Sequence, residues 1–269
     1  MNPRTRCILA MLALAQGCRD WTKPVIPPDP ELAALPKDAE TPTREALHAQ
    51  ASDRSRQGDA RAALRTLQRA LATHPGDPET EFLMAREYLA VGEQTSALEF
   101  AGLAATHDPT PVRIRACAPI MVAAGAPQRA ARLIESVLPS TAAGPERSAA
   151  LRELVLARSA AGEHDGAVTA ARELAAEDPG AGSQAVLGEA LLRAGLLADA
   201  EEAFRAGTAL DARSTPCWNG LGTAALNRWI AGGKADASAR DRAVAAFEAS
   251  LAIDREQPRV VRLMASYGL

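Results

Sequence analysis

The chain has 269 residues, 47% of them hydrophobic but only 3% aromatic, and a formal net charge of -3. Its apolar content suffices for a sizeable core in one or two domains, and it is dominated by Ala and Leu, which form helices better than strands, so an all-α fold is expected. The charge is spread without blocks of one sign, which excludes the basic footprint of a nucleic-acid-binding protein.

At the N-terminus, Arg4 and Arg6 precede an uninterrupted apolar run of 9 residues, Cys7 to Ala15. The run is far shorter than the ~20 residues that span a bilayer, but it has the length of a signal-peptide core. Next comes Ala15-Gln16-Gly17-Cys18, which resembles the bacterial lipoprotein box, with Leu14 one place earlier than the usual leucine. The resemblance implies a signal peptide over 1–17 and acylation of Cys18, hence a lipid-anchored cell-envelope protein. Arg19 rather than an acid follows the cysteine, which by the same resemblance points to the outer membrane, facing the periplasm. The competing expectation is cleavage after Ala13-Leu14-Ala15, which would release a soluble periplasmic protein. Residues 18–43 then hold Pro24, Pro27, Pro28, Pro30, Pro36 and Pro42, so a stiff extended tether is expected there.

From residue 44 a pattern repeats. A glycine is followed by Ala five residues on, a small or apolar residue four later and another three beyond that. It runs through Gly58-Ala63-Leu67-Ala70, Gly92-Ala97-Ala101-Ala104, Gly125-Ala130-Ile134-Val137, Gly162-Ala167-Ala171-Leu174 and Gly195-Ala200-Phe204-Gly207. The glycines are 34, 33, 37 and 33 residues apart (92−58, 125−92, 162−125, 195−162). Glycine permits the positive φ that ends one helix and turns tightly into the next. The three following positions share one face of the second helix. Pro75, Pro109 and Pro179 close their repeats as helix stops. A sixth unit keeps Ala243, Phe247 and Ser250 without a glycine in register.

A period near 34 built from two helices resembles the tetratricopeptide repeat. Trp218-x2-Leu221-Gly222 matches that family's first-helix signature, and Leu187-Gly188, Met84-Ala85-x2-Tyr88 and Leu151-x2-Leu154 match it in part. The resemblance covers residues 44–256 in about six repeats and implies a right-handed superhelical solenoid of antiparallel helix pairs, with residues 257–269 as a capping helix. Two repeats depart from the pattern. In the third, Pro119 is expected to interrupt the first helix, and the long linker 139–147 to bend or divide the array. In the sixth, Trp218 and Ala243 stand 25 residues apart where the family's regular spacing is 16. The 9 extra residues, around 230–240, are expected as a flexible surface loop between the helices. Cys117 and Cys217 fall in the third and sixth repeats, too far apart to bridge, and are expected free and mostly buried.

No catalytic constellation emerges. His48, His74, His107 and His164 are scattered without metal-ligand spacing, and the pairs Glu177-Asp178 and Glu201-Glu202 read as solvated charge. No enzyme activity, metal or cofactor is expected. The tetratricopeptide resemblance implies instead a protein or peptide partner in a concave groove of first helices. In the family's register the candidates for that groove are Phe82, Arg86, Arg152, Glu189 and Asn219. The lysines and asparagines with which some members clamp a terminal carboxylate are missing. Lipid box, Pro-rich tether and helical repeats together resemble in layout the repeat lipoproteins of tight-adherence pilus systems, which implies a scaffold in assembling a secretion or pilus machine. A soluble accessory subunit of a periplasmic enzyme complex is the alternative.

Overall fold

A computed structural model describes residues 42–269. Among these the chain forms thirteen α-helices, one 3-10 turn and no strand. The helices are α1 (Arg44–Arg56), α2 (Ala60–Thr73), α3 (Pro78–Ala90), α4 (Gln94–His107), α5 (Pro111–Ala123), α6 (Pro127–Val137), α7 (Pro145–Ala160), α8 (His164–Glu177), α9 (Ala181–Arg193), α10 (Leu197–Leu210), α11 (Thr215–Ala231), α12 (Ala237–Ile253) and α13 (Pro258–Tyr267). Each packs on the next, and successive odd-numbered helices also touch, so helical hairpins stack into an all-α solenoid. Cys18, the expected signal peptide and most of the expected tether lie outside the described residues.

Local sequence sets the helix ends. The side chains of Thr43, Asp59, Asp77, Thr110 and Asp236 each accept a hydrogen bond from the backbone N–H three residues on, satisfying a donor the helix cannot. Pro78, Pro111, Pro127, Pro145 and Pro258 open their helices at the first position, where a missing N–H costs nothing. The odd-numbered helices from α1 to α9 end on a left-handed glycine: Gly58, Gly92, Gly125, Gly162 and Gly195, with φ between 75° and 83°. The residue after each glycine donates its N–H to the carbonyl five places back, as Glu93 does to Tyr88 at 2.9 Å.

The repeated positions of the second helices form the core: Ala63, Leu67 and Ala70 of α2, and Ala97, Ala101 and Ala104 of α4, are all fully buried. Alanines there let the helices approach closely. Where the second helix carries a phenylalanine at the middle repeated position, as in the fifth and sixth repeats, glycines make the room. Phe204 lies against Gly188 of α9 and Gly220 of α11, and Phe247 against Gly222; a Cβ on any of the three would come within 2.6 Å of the ring. Cys117 and Cys217 are free and buried, and burial pushes the Cys117 thiol up to about 11.

The third repeat differs from expectation. α5 runs unbroken through Pro119. The ring removes one backbone hydrogen bond, but Ile114, Cys117, Ile120 and Met121 on both sides of it are buried in the core, and their packing holds the helix together. The linker after α6 folds into a 3-10 turn (Leu138–Ser140). Leu138 is buried, its carbonyl accepts from Arg147, and Gly144 N–H donates to the Glu177 carboxylate at 2.7 Å. The array is not divided here: one apolar cluster runs from Ala51 to Ala224.

The sixth repeat also differs. Its extra residues do not form a loop. Compared with the second repeat, α11 has 17 residues against 13, the turn 5 against 3, and α12 17 against 14, and 4 + 2 + 3 accounts for all 9. Nor is its glycine lost. Gly233, φ 64°, stands two residues past the helix end, as Gly92 does, and Lys234 N–H bonds the Trp229 carbonyl at 2.8 Å. Trp229 is buried; its ring N–H donates to the Lys234 carbonyl, and the Lys234 ammonium lies over the rings of Trp229 and Tyr267. With Ala225, Leu226, Ala239, Ala243, Phe247 and Val260 it makes a second apolar cluster, distinct from the first.

Several polar residues are not simply solvated either. Glu201 is buried and bonds Arg228 at 3.0 Å, with Arg242 and Arg205 at 3.5 and 3.8 Å. His48 shares a hydrogen bond with Thr80 at 2.7 Å, and His107 one with the buried Glu81 carboxylate at 2.8 Å. These groups tie neighbouring helices together.

Candidate functional site

The first helices of repeats three to six, α5, α7, α9 and α11, line a groove of about 710 Å3, with Phe204 of α10 at its floor. The repeat glycines explain how sequence builds it. Counting back six, three and two residues from each glycine gives Pro119, Val122 and Ala123 on α5, then Leu156, Ser159 and Ala160 on α7, then Glu189, Leu192 and Arg193 on α9. Residues at those offsets share one helical face. Equal turns in successive hairpins align these faces side by side. The wall is mostly apolar, and Leu156 is 54% exposed, a large hydrophobic side chain facing solvent inside a concavity.

Of the residues expected in a groove, two line it. Glu189 pairs with Arg193 at 3.0 Å. Asn219 sits on the α11 wall and donates through its amide to Gln257 Oε1 at 2.7 Å. Gln257 Nε2 in turn donates to the carbonyls of Ser250 and Asp254, which leaves its oxygen to accept and orients both amides. Asn219 Oδ1 is buried without a donor. The other three lie outside the groove. Phe82 is packed against the core and covered by the Arg113 guanidinium, 5.1 Å from the ring centroid. Arg86 pairs with Glu87 at 3.1 Å, and Arg152 with Asp178 at 3.8 Å.

The groove residues that sequence reasoning missed include Val122, Leu156, Val186 and Glu153. Arg86 and Glu189 stand at the same offset from their glycines as Leu156, so the repeat register carried the signal. Glu153 lies one helical turn before Leu156. Burial raises its carboxyl above the ordinary range, against the opposing pull of Arg115 and Arg152. Among the described residues no group of three or more His, Cys, Asp or Glu could hold a metal ion, and no helix is long and apolar enough to cross a membrane.

No protein-family model and no curated protein sequence matches the chain. Solved structures do. The crystal structure of PilW, described as a widely conserved type IV pilus biogenesis factor, is similar over 82% of this chain and 98% of that one, with TM-score 0.59 and 15% identity. A tetratricopeptide repeat protein of Parabacteroides merdae aligns over 82% of this chain and 83% of its own, with TM-score 0.56 and 15% identity. The chain folds as a tetratricopeptide-repeat array. PilF of Pseudomonas aeruginosa has the same fold over 83% of this chain and 97% of its own, with TM-score 0.56 and 13% identity. In this tetratricopeptide array the groove belongs to the first helices alone, apart from the Phe204 ring at its floor.

Proposed function

We propose that the chain is a cell-envelope docking scaffold rather than an enzyme, and that it holds a partner protein in the groove of repeats three to six. The single observation behind this reading is the apolar trough across four stacked helices, with Leu156 exposed inside it. Removing such a surface from water on docking is worth about 25 cal/mol per Å2 of apolar area. The anchoring half rests on Arg4, Arg6, the apolar run and Cys18, which argue for a lipid holding the scaffold at the outer membrane. A place in assembling a pilus or secretion machine is supported by that layout together with the shared fold of PilW and PilF.

Photo-crosslinking in cells tests the docking half. A photoreactive side chain at position 156 is expected to capture one protein that the same group at the exposed Glu202 does not. Equal capture at the two positions removes the groove from the proposal. The mature N-terminus tests the other half: mass spectrometry is expected to find an acylated Cys18. A free Gln16 favours the soluble periplasmic subunit instead, and a Cys18→Ala variant with unchanged membrane fractionation and acyl labelling removes the lipid anchor from the proposal.

A further inference from the structure

Most charges around the groove are already matched. Arg115 pairs through one terminal nitrogen with Glu146 at 3.4 Å, its Nε staying buried without a partner, Arg152 pairs with Asp178 at 3.8 Å, and Arg193 with Glu189 at 3.0 Å. Glu153 is left over. Among the described residues its carboxylate has no hydrogen bond and no ion pair, only the longer-range attraction of Arg115 and Arg152. Counting Glu146, Glu153, Asp178 and Glu189 against Arg115, Arg152 and Arg193 gives 4 − 3, a surplus of one negative charge. That surplus sits half-buried on a wall it shares with the apolar side chains of Val122, Val155, Leu156, Val186 and Leu192. A carboxylate in such surroundings has lost part of its hydration without gaining a partner, which is unfavourable until a cation arrives.

We propose that the groove takes an apolar segment of the partner protein carrying one basic side chain, whose ammonium or guanidinium group seats on Glu153. The inference rests on the groove being the docking site. Its geometry follows from α7. Glu153 and Leu156 are three residues apart on one helical face, roughly 5–6 Å between their Cβ atoms. The occupant therefore presents its cation within one residue's reach of the apolar side chain that covers Leu156. An acidic segment is disfavoured, because it would bring a second uncompensated carboxylate to the same wall.

The test uses the full chain and three blocked 15-residue helical peptides of Leu, Ala and Gln, identical except for a central Lys, norleucine or Glu. Titration of fluorescently labelled peptide is expected to show the Lys peptide binding roughly tenfold tighter than its norleucine twin, the size of one charge-assisted hydrogen bond. The Glu peptide is expected to bind weakest. In Glu153→Gln the advantage of Lys should vanish while norleucine binding is unchanged, and in wild type the advantage should shrink with added salt. Leu156→Glu should weaken all three. If the peptides bind, and Leu156→Glu weakens them, but Lys and norleucine bind alike or the Lys advantage survives in Glu153→Gln, the cation site is overturned and the groove stands. If no peptide binds, or Leu156→Glu leaves all binding intact, the groove reading falls and the cation site with it. Self-association of the chain that Leu156→Glu abolishes would assign the groove to a second copy and overturn both.

Discussion

The third and sixth repeats both break the pattern, and they do so in opposite ways. The third carries a proline inside its first helix and a long linker, yet its apolar residues belong to the same cluster as those of the repeats on either side. The sixth obeys every local rule, with a left-handed glycine, a capped second helix and Phe247 fitted against Gly222. Even so, its lengthened helices, with α13, own a separate cluster around Trp229. A local defect is absorbed when packing on both sides is intact. Added length beyond the end of a stack has no neighbour to join, so it builds a core of its own. Continuity in a solenoid is decided between repeats, not within them.

The comparison can be broken most severely at Trp229. Trp229→Ala is expected to cost about 3–5 kcal/mol. Because the second cluster is distinct, hydrogen exchange should show α12 and α13 losing protection while α1 to α10 keep theirs. A uniform loss along the whole chain would mean the two clusters fold as one. Gly222→Ala, which places a methyl group against the Phe247 ring, should cost about 1–3 kcal/mol by urea denaturation. Adding Phe247→Leu should recover part of that loss, and a purely additive double variant would refute the fit argued for the pair.

In the third repeat the sign reverses. Pro119→Ala restores a backbone N–H within α5 and is expected to stabilise the chain, by up to about 3 kcal/mol. A neutral or destabilising result would show that the ring's packing on the groove matters more than the missing bond. The smallest effect concerns the thiols. Burial raises both, Cys117 to about 11, so at pH 8 each is protonated and reacts with iodoacetamide only after local opening. Lying nearer the end of the stack, Cys217 is expected to be alkylated faster than Cys117, read by peptide mass mapping. The reverse order would place the weaker repeat in the middle of the array.

Much of this architecture is legible in sequence because one left-handed glycine per hairpin, followed by buried small residues at fixed offsets, needs no distant partner. What escaped reading depends on distant partners. Pro119 signals a break through its own chemistry, and only the burial of Cys117 and Met121 beside it overrules that signal. Ala231-Gly232-Gly233-Lys234 looks like a loop, but Gly233 takes the same place as Gly92, and the residues from Ala237 form helix. Glu201 reads as solvated until arginines from three helices converge on it. The groove was half legible. Charged Glu189 and polar Asn219 attract attention, whereas Leu156 at an equivalent offset resembles any core leucine until the turns align the first helices and leave it exposed.

Phe204 joins two roles that are separate elsewhere in the molecule. Its ring is wedged between the backbones of Gly188 and Gly220, and it also lines the floor of the groove. A thicker or thinner side chain at 204 would alter the spacing of the fifth and sixth hairpins and the width of the binding trough at a stroke. Either glycine replaced alone would collide with the ring. Among homologues these three positions are therefore expected to drift as a linked set, so that covariation at 188, 204 and 220 would mark the groove even where the partner it serves has changed.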